Sequence, residues 1–312
     1  MHNTDQERKR DCGSRGKARS KGEGARMHIT AHTNVYCLIG DPIKHSGSPA
    51  LHNKAFTKTG IDAVYVAFTV SDGKIEEALN AIRTLGIAGG SITMPHKMTC
   101  LPYLDYVDPT AKLIGSVNTI VNRNGNISGY NTDGYGCMKS FKDMGATIEG
   151  SKMVLIGVGG AGSAIAGTAA REHGLRELVI FNRANGHSWN HAEHLVGMIN
   201  EQTDCHARLC DLNDHDLLRK EMADAQLVCN ATNVGMGKLE GQSVVPDASY
   251  FNKDSFVQDV IYFPAQTKFL EMAKEAGCVH ENGLNMLFNQ ATGQFKLWTG
   301  VKMPLTVDDL EL

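Results

Sequence analysis

Apolar and polar positions along this chain fall into blocks of strand and helix length. A β-rich run, Asn34–Ile39, stops at Gly40-Asp41-Pro42 and leads into a helical pattern over Ala50–Lys58. Strand Ala63–Phe68, helix Lys74–Thr84 and a short strand Gly90–Thr93 follow. That alternation predicts a parallel α/β layer rather than an antiparallel sandwich. Asn124-Gly125, between two β-rich runs of which the first is Ile120–Asn122, predicts a hairpin. A second series opens with the apolar strand Met153–Ile156, a helix of small residues from about Gly160, and strand Glu177–Phe181. It continues through helix His191–Asn200, strand Ala207–Leu209, helix His215–Met222, strands Leu227–Asn230 and Phe256–Val260, and helix Thr267–Ala276. Gly283–Trp298 is a last helical stretch.

Size and composition narrow the class. With 312 residues, 42% hydrophobic and 21% charged, the chain has material for two medium cores. A net charge of −3 gives no general attraction to nucleic acid or anionic membranes. No apolar run approaches the ~20 residues of a spanning helix, so a water-soluble protein is expected. The eight cysteines (Cys12, Cys37, Cys100, Cys137, Cys205, Cys210, Cys229, Cys278) include no C-x-x-C pair. Neither a zinc site nor a disulfide framework is indicated, and buried thiols in a reducing cytoplasm are expected. Residues 1–26 are rich in Lys, Arg, Gly and Ser and poor in large apolar residues, which predicts a disordered basic tail without the apolar core of a secretory signal. Two readings of it stand open: a nucleic-acid-binding arm, or sequence upstream of a true start at Met27.

Candidate chemistry gathers at the ends of predicted strands. Gly157, Gly159 and Gly162 form G-x-G-x-x-G between a strand and a helix, where Gly160 and Ala161 would offer free backbone N–H groups to a pyrophosphate. Ser46 and Ser48 flank a glycine; Ser48 before Pro49 also suits a helix N-cap. Lys97 follows a strand end, where open α/β sheets place ligands. Asp133 lies among Asn, Thr and Gly just before a helix, and an N-cap role is equally open to it.

Taken together and in order, His45-Ser-Gly-Ser-Pro49, Thr93-Met-Pro-His-Lys97, Gly115-Ser-Val-Asn-Thr119, Asn131-Thr-Asp-Gly134, Gly157-Val-Gly-Gly-Ala161, Asn182-Arg183, Asn230-Ala-Thr232 and Gly283-Leu-Asn-Met-Leu-Phe-Asn-Gln290 resemble the motifs of the shikimate dehydrogenase family. The resemblance covers about residues 34–304. Glu201–Cys205 and Phe295–Gly300 look closest to its quinate/shikimate branch. It implies reversible NAD(P)-dependent oxidation of shikimate to 3-dehydroshikimate, and of quinate to 3-dehydroquinate, without a metal. By similarity Lys97 and Asp133 are a proton-transferring pair, Ser46 and Ser48 hold a carboxylate, and Thr93, Asn118, Asp133 and Gln290 address ring hydroxyls. Tyr262 resembles a further substrate-facing residue. Gly157, Gly159, Gly160, Ala161, Gly162, Asn182, Arg183, Thr232 and Gly283 fall at cofactor-binding positions. The implied architecture is a substrate domain (27–131 with 283–312) and a doubly wound Rossmann domain (132–282), with the last helix returning to the first domain. A small-molecule substrate and a monomer or homodimer are the expected partners.

Two departures bear on detail. Ser91 stands where shikimate-specific members often carry Asn, which points to an altered pocket. The strand ending at Phe181 is followed by Asn182-Arg183-Ala184-Asn185-Gly186-His187, without the acid that usually binds the ribose 2′-OH of NAD and with only part of a 2′-phosphate clamp. Either nucleotide remains open, with a lean toward usable NAD. The rivals are another two-domain NAD(P) enzyme, such as a methylenetetrahydrofolate dehydrogenase or a glutamyl-tRNA reductase-like protein, and a non-catalytic metabolite sensor. The set Ser46, Ser48, Lys97, Asp133 and Gln290 speaks against the first group, and the Lys97/Asp133 pair against the second.

Overall fold

The computed structural model describes residues 29–310; the expectation for the basic segment 1–26 lies outside them. In chain order the elements are β1 (Asn34–Gly40), α1 (Ser48–Thr59), β2 (Ala63–Thr69), α2 (Ile75–Leu85), β3 (Gly89–Ile92), α3 (His96–Thr99), β4 (Tyr106–Val107), α4 (Pro109–Ile114), β5 (Thr119–Arg123) and β6 (Asn126–Tyr130). They continue with α5 (Asp133–Asp143), β7 (Lys152–Ile156), α6 (Gly160–Glu172), β8 (Glu177–Asn182), α7 (Trp189–Gln202), β9 (His206–Asp211), α8 (His215–Ala223), β10 (Leu227–Asn230), β11 (Phe256–Asp259), α9 (Lys268–Glu275), β12 (Val279–Glu281) and α10 (Gly283–Thr299).

Two six-stranded sheets result. The first has the order β2-β1-β3-β5-β6-β4: β1, β2 and β3 are parallel as the alternation predicts, and the sheet becomes mixed beyond them. β1 runs parallel to β2 and β3, but β5 is antiparallel to β3 and forms a hairpin with β6 through Asn124 (φ 54°) and Gly125 (φ 88°). Strand direction depends on how the intervening chain returns. Between β3 and β5 lie short helices and the two-residue β4, and the chain enters β5 beside the end at which it left β3. The second sheet, β12-β11-β10-β7-β8-β9, is parallel throughout, with the chain reversing its direction of winding between β7 and β10. In open α/β sheets that reversal makes the crevice where ligands bind.

Each sheet is covered on both faces by apolar side chains. Two helices join the units. α5 is wedged between α6 and α10, and glycine allows it: a Cβ on Gly134 would strike Thr168 Oγ1 and the Ala164 carbonyl of α6, and one on Gly136 would strike the Met286 carbonyl of α10. α10 places Met286 in the core of the second unit and Phe288, Ala291, Phe295 and Trp298 in that of the first. Trp298 Nε1 donates to the Ile120 carbonyl of β5 at 3.0 Å. Phe295 is fully buried, so truncating it to Ala should cost about 3–5 kcal/mol.

Candidate functional site

One cavity of about 430 Å³ opens between the two sheets, reached by the carboxyl ends of β1, β3 and β11 and by the start of α6. Ser46, Ser48, Thr93, Lys97, Asn118, Asp133, Tyr262 and Gln290 all line it, so the eight residues expected at substrate and catalytic positions come together. Ala161 and Gly283 of the expected cofactor set line it as well.

Lys97 reaches the cavity because its short helix is pinned on two sides. The Thr93 N–H donates to the Ile39 carbonyl (3.0 Å), the Val117 N–H donates to the Lys97 carbonyl (2.8 Å), and the fully buried His96 places Nε2 at 2.8 Å from the Val70 carbonyl. Lys97 Nζ donates to Asp133 Oδ2 at 2.6 Å, with 29% and 16% of the two side chains exposed. Asp133 is the first residue of α5; Thr132 is the N-cap, so the carboxylate is spent on the cavity and not on capping. Its second oxygen accepts from Asn118 Nδ2 at 2.7 Å. Asn118 has a fixed orientation, because its Oδ1 accepts from the backbone N–H of Thr132 (2.9 Å), which can only donate. Ammonium, carboxylate and amide therefore form a fixed row, built from charge-assisted bonds.

Behind that row runs a second, buried chain. Gln294, one turn beyond Gln290 on α10, directs Nε2 to the Asn118 carbonyl (3.4 Å), an acceptor only. Its Oε1 then faces Ser91 Oγ (3.1 Å), which in turn accepts from the Tyr65 hydroxyl (2.8 Å). The Ser91 proton is thus committed, and its oxygen meets the cavity as an acceptor. Burial pushes the Tyr65 phenol well above its usual range and holds the adjoining His52 imidazole down to about 3, so both are neutral near pH 7. His52 packs among Tyr65, Phe295 and Trp298, beside Gln294.

Ser48 is not an N-cap. Gly47 occupies that position without a side-chain cap, α1 starts at Ser48, and the Ser48 side chain lines the cavity instead. Tyr262 is 43% exposed on the loop after β11. At the root of that loop the buried Asp259 accepts from Asn230 Nδ2 (3.1 Å), Thr267 Oγ1 (2.7 Å) and the Ile261 N–H (3.1 Å). Burial outweighs these bonds and raises its carboxyl to about 6.

The glycine turn lies at the reversal between β7 and β10. Gly157 has φ +94° and leaves no room for a Cβ beside Thr232, while a Cβ on Gly162 would strike the Gly157 carbonyl. Gly159 and Gly160, by contrast, have open space in front of them. A strained, closely packed turn with free room over the start of a 13-residue helix fits the pyrophosphate of a dinucleotide. Asn182 and Arg183 are placed apart from the cavity, at the carboxyl end of β8. The Asn182 amide donates to Ser188 Oγ at 3.0 Å, and Arg183 is exposed.

Gln294 and Tyr65 escaped the sequence reading, although Gln290 and Gln294 at i and i+4 signal one polar helix face. Among the described residues no helix is long and apolar enough to cross a membrane, and seven cysteines are buried free thiols.

Comparison with known proteins agrees with this geometry. Residues 38–120 match the family described as shikimate dehydrogenase substrate binding domain, and residues 283–308 the shikimate 5'-dehydrogenase C-terminal domain. The shikimate dehydrogenase (NADP(+)) of Listeria monocytogenes serotype 4b is 43% identical over 277 residues, 89% of this chain and 94% of that protein. The crystal structure of shikimate 5-dehydrogenase from Listeria monocytogenes in complex with shikimate and NAD superposes with a TM-score of 0.86 at 43% identity, covering 90% of this chain and 96% of that one. Quinate dehydrogenase from Corynebacterium glutamicum in complex with NAD gives 0.76 at 29% identity over 89% and 97%. An all-parallel second sheet with a glycine turn at its reversal, a Lys–Asp pair facing the cleft, and these likenesses along nearly the whole length place the chain in the shikimate dehydrogenase family.

Proposed function

We propose that this chain is an oxidoreductase that interconverts shikimate and 3-dehydroshikimate with NAD or NADP, and that it also turns over quinate. The observation that carries this reading is the Lys97–Asp133 pair at 2.6 Å, set on a cavity that Ala161 and Gly283 also line. When bound, the nicotinamide supplies the acceptor or donor of hydride. Gly159 and Gly160 leave room for the pyrophosphate, and Arg183, exposed after β8, addresses the adenosine end. In the oxidising direction Lys97 acts as the neutral amine, after its proton has left to solvent, and takes the hydroxyl proton as hydride departs. In reverse its ammonium stabilises the developing alkoxide and returns the proton. Asp133 and Asn118 fix where that ammonium sits. Ser46 and Ser48 hold the carboxylate, and Thr93, Asn118, Gln290 and Tyr262 meet the ring through groups that donate and accept.

Ser91 bears on substrate range. As an acceptor smaller than Asn, it leaves space and still receives a hydroxyl proton. Shikimate should be the better substrate and quinate detectable, with a gap of about 1–3 kcal/mol in kcat/KM. A monomer or homodimer in the cytoplasm completes the reading. The test is absorbance of reduced nicotinamide with shikimate and with quinate, each against NAD and NADP. Reduction by shikimate supports the proposal, and no reduction in any of the four combinations contradicts it.

A further inference from the structure

The strand that ends at Asn182 lacks the acid expected to meet a ribose hydroxyl, yet the fold supplies one from the neighbouring strand. β8 and β9 run in parallel with Asn182 beside Asp211, and the Leu212 N–H donates to the Asn182 carbonyl at 2.9 Å. The Asp211 carboxylate thereby reaches across the strand ends. Its Oδ1 accepts from the N–H of Ala184 (3.2 Å), the residue after Arg183, and from Asn213 N (3.2 Å) and Nδ2 (3.1 Å). Those donors hold the carboxyl below the usual carboxylate range, so it is ionised at neutral pH. All three bonds use one oxygen; the other has no partner among the described residues. Arg183 is exposed and forms no ion pair among them.

We infer that Asp211 is a specificity-determining residue for the nucleotide: its carboxylate opposes the pull of Arg183 on a 2′-phosphate and offers its unused oxygen to the hydroxyls of an unphosphorylated ribose. The inference rests on the dehydrogenase reading above. An arginine alone at this loop favours the phosphate, whereas an arginine followed by a residue whose backbone N–H holds an anion presents less net charge to it. Sequence reading along one strand does not find this residue, because the acid lies 28 positions beyond Arg183 and arrives through strand register.

Asp211→Asn is the informative variant, since its amide oxygen still accepts from Ala184 and Asn213 while the charge is gone. Asp211→Glu keeps the charge. The measurement is the ratio of kcat/KM for NADP to that for NAD at saturating shikimate. For Asp211→Asn the ratio should rise roughly 5–10-fold, mainly through a lower KM for NADP, and the rise should shrink in high salt. Asp211→Glu should stay near wild type, and Arg183→Ala should lower the ratio. A ratio for Asp211→Asn within twofold of wild type overturns the inference, as does an equal rise in Asp211→Glu, which would mark Asp211 as a loop anchor only. If the wild type oxidises neither shikimate nor quinate, the dehydrogenase reading fails instead. Calorimetric affinities of wild type and Asp211→Asn for NAD and NADP alone then decide the role of Asp211 by the same ratio.

Discussion

At the inner wall of the cleft, Asp133 has both oxygens engaged, Asn118 is oriented by a backbone donor, and Ser91 has its proton committed to Gln294. At the outer edge of the second sheet, Arg183 is exposed and the Asp211 carboxylate held by the Ala184 N–H keeps one oxygen open. The difference follows from what each region has to do. Proton transfer gains from groups that are already in place before charge develops, so each donor there is answered by an acceptor. Selecting a nucleotide tail needs only a balance of exposed charges, and such a balance shifts with one residue. The inner wall should therefore respond to mutation with large losses in kcat, and the outer edge with changes in ratio.

The largest effect is expected at Lys97. Lys97→Ala should lower kcat by at least ~10²-fold and change KM for shikimate much less, because the lost interaction belongs mainly to the transition state. Steady-state kinetics of the purified variant check this, and a near-normal kcat would remove Lys97 from the mechanism. Next is Gln294→Leu, which leaves the Ser91 proton free to turn and deprives the Asn118 carbonyl of a donor. It should cost about 1–2 kcal/mol in kcat/KM for shikimate, read in the same assay. An unchanged value would mean that the chain from Tyr65 to Asn118 does not bear on the substrate. Ser91→Asn should widen the preference for shikimate over quinate; an unchanged ratio would detach this position from substrate range.

The smallest effect is on stability and lies away from the cleft. Burial and the nearby Asp143 carboxylate raise Glu281 to about 7 from an ordinary value of 4.5, and its Oε2 is buried without a partner while Asn285 serves Oε1. The folded state thus holds a proton that the unfolded state releases. This group's contribution is complete below about 4.5 and lost as pH rises through about 7. Glu281→Gln should match wild type in Tm near pH 5 and exceed it by about 2–4 °C at pH 8. Equal melting curves at pH 8 would contradict that sign.

Much of the fold was legible in the sequence because its cues are local. The apolar runs of β7, β8 and β10 lie within a residue or so of where periodicity puts them, and Asn124-Gly125 turns as its residue types require. The direction of β5 was not legible, since period two is the same in parallel and antiparallel strands. α4 was also overlooked, although Asp108 before Pro109 caps it at Thr110 N (2.9 Å). The residues facing the cavity could be read because motifs keep short-range order. Tyr65, Gln294 and Asp211 could not, because each acts through a partner brought close by packing or register. The glycines around Asp133 carried a signal whose meaning lies in the packing: they let α6 and α10 close on α5.

A double-mutant cycle on kcat for shikimate oxidation, using Lys97→Ala, Asp133→Asn and the pair together, tests most directly whether lysine and aspartate act as one unit. If they do, each single variant loses at least ~10²-fold and the double variant loses little more than the worse single one. Losses that multiply in the double variant would mean two independent contributions and would contradict the account.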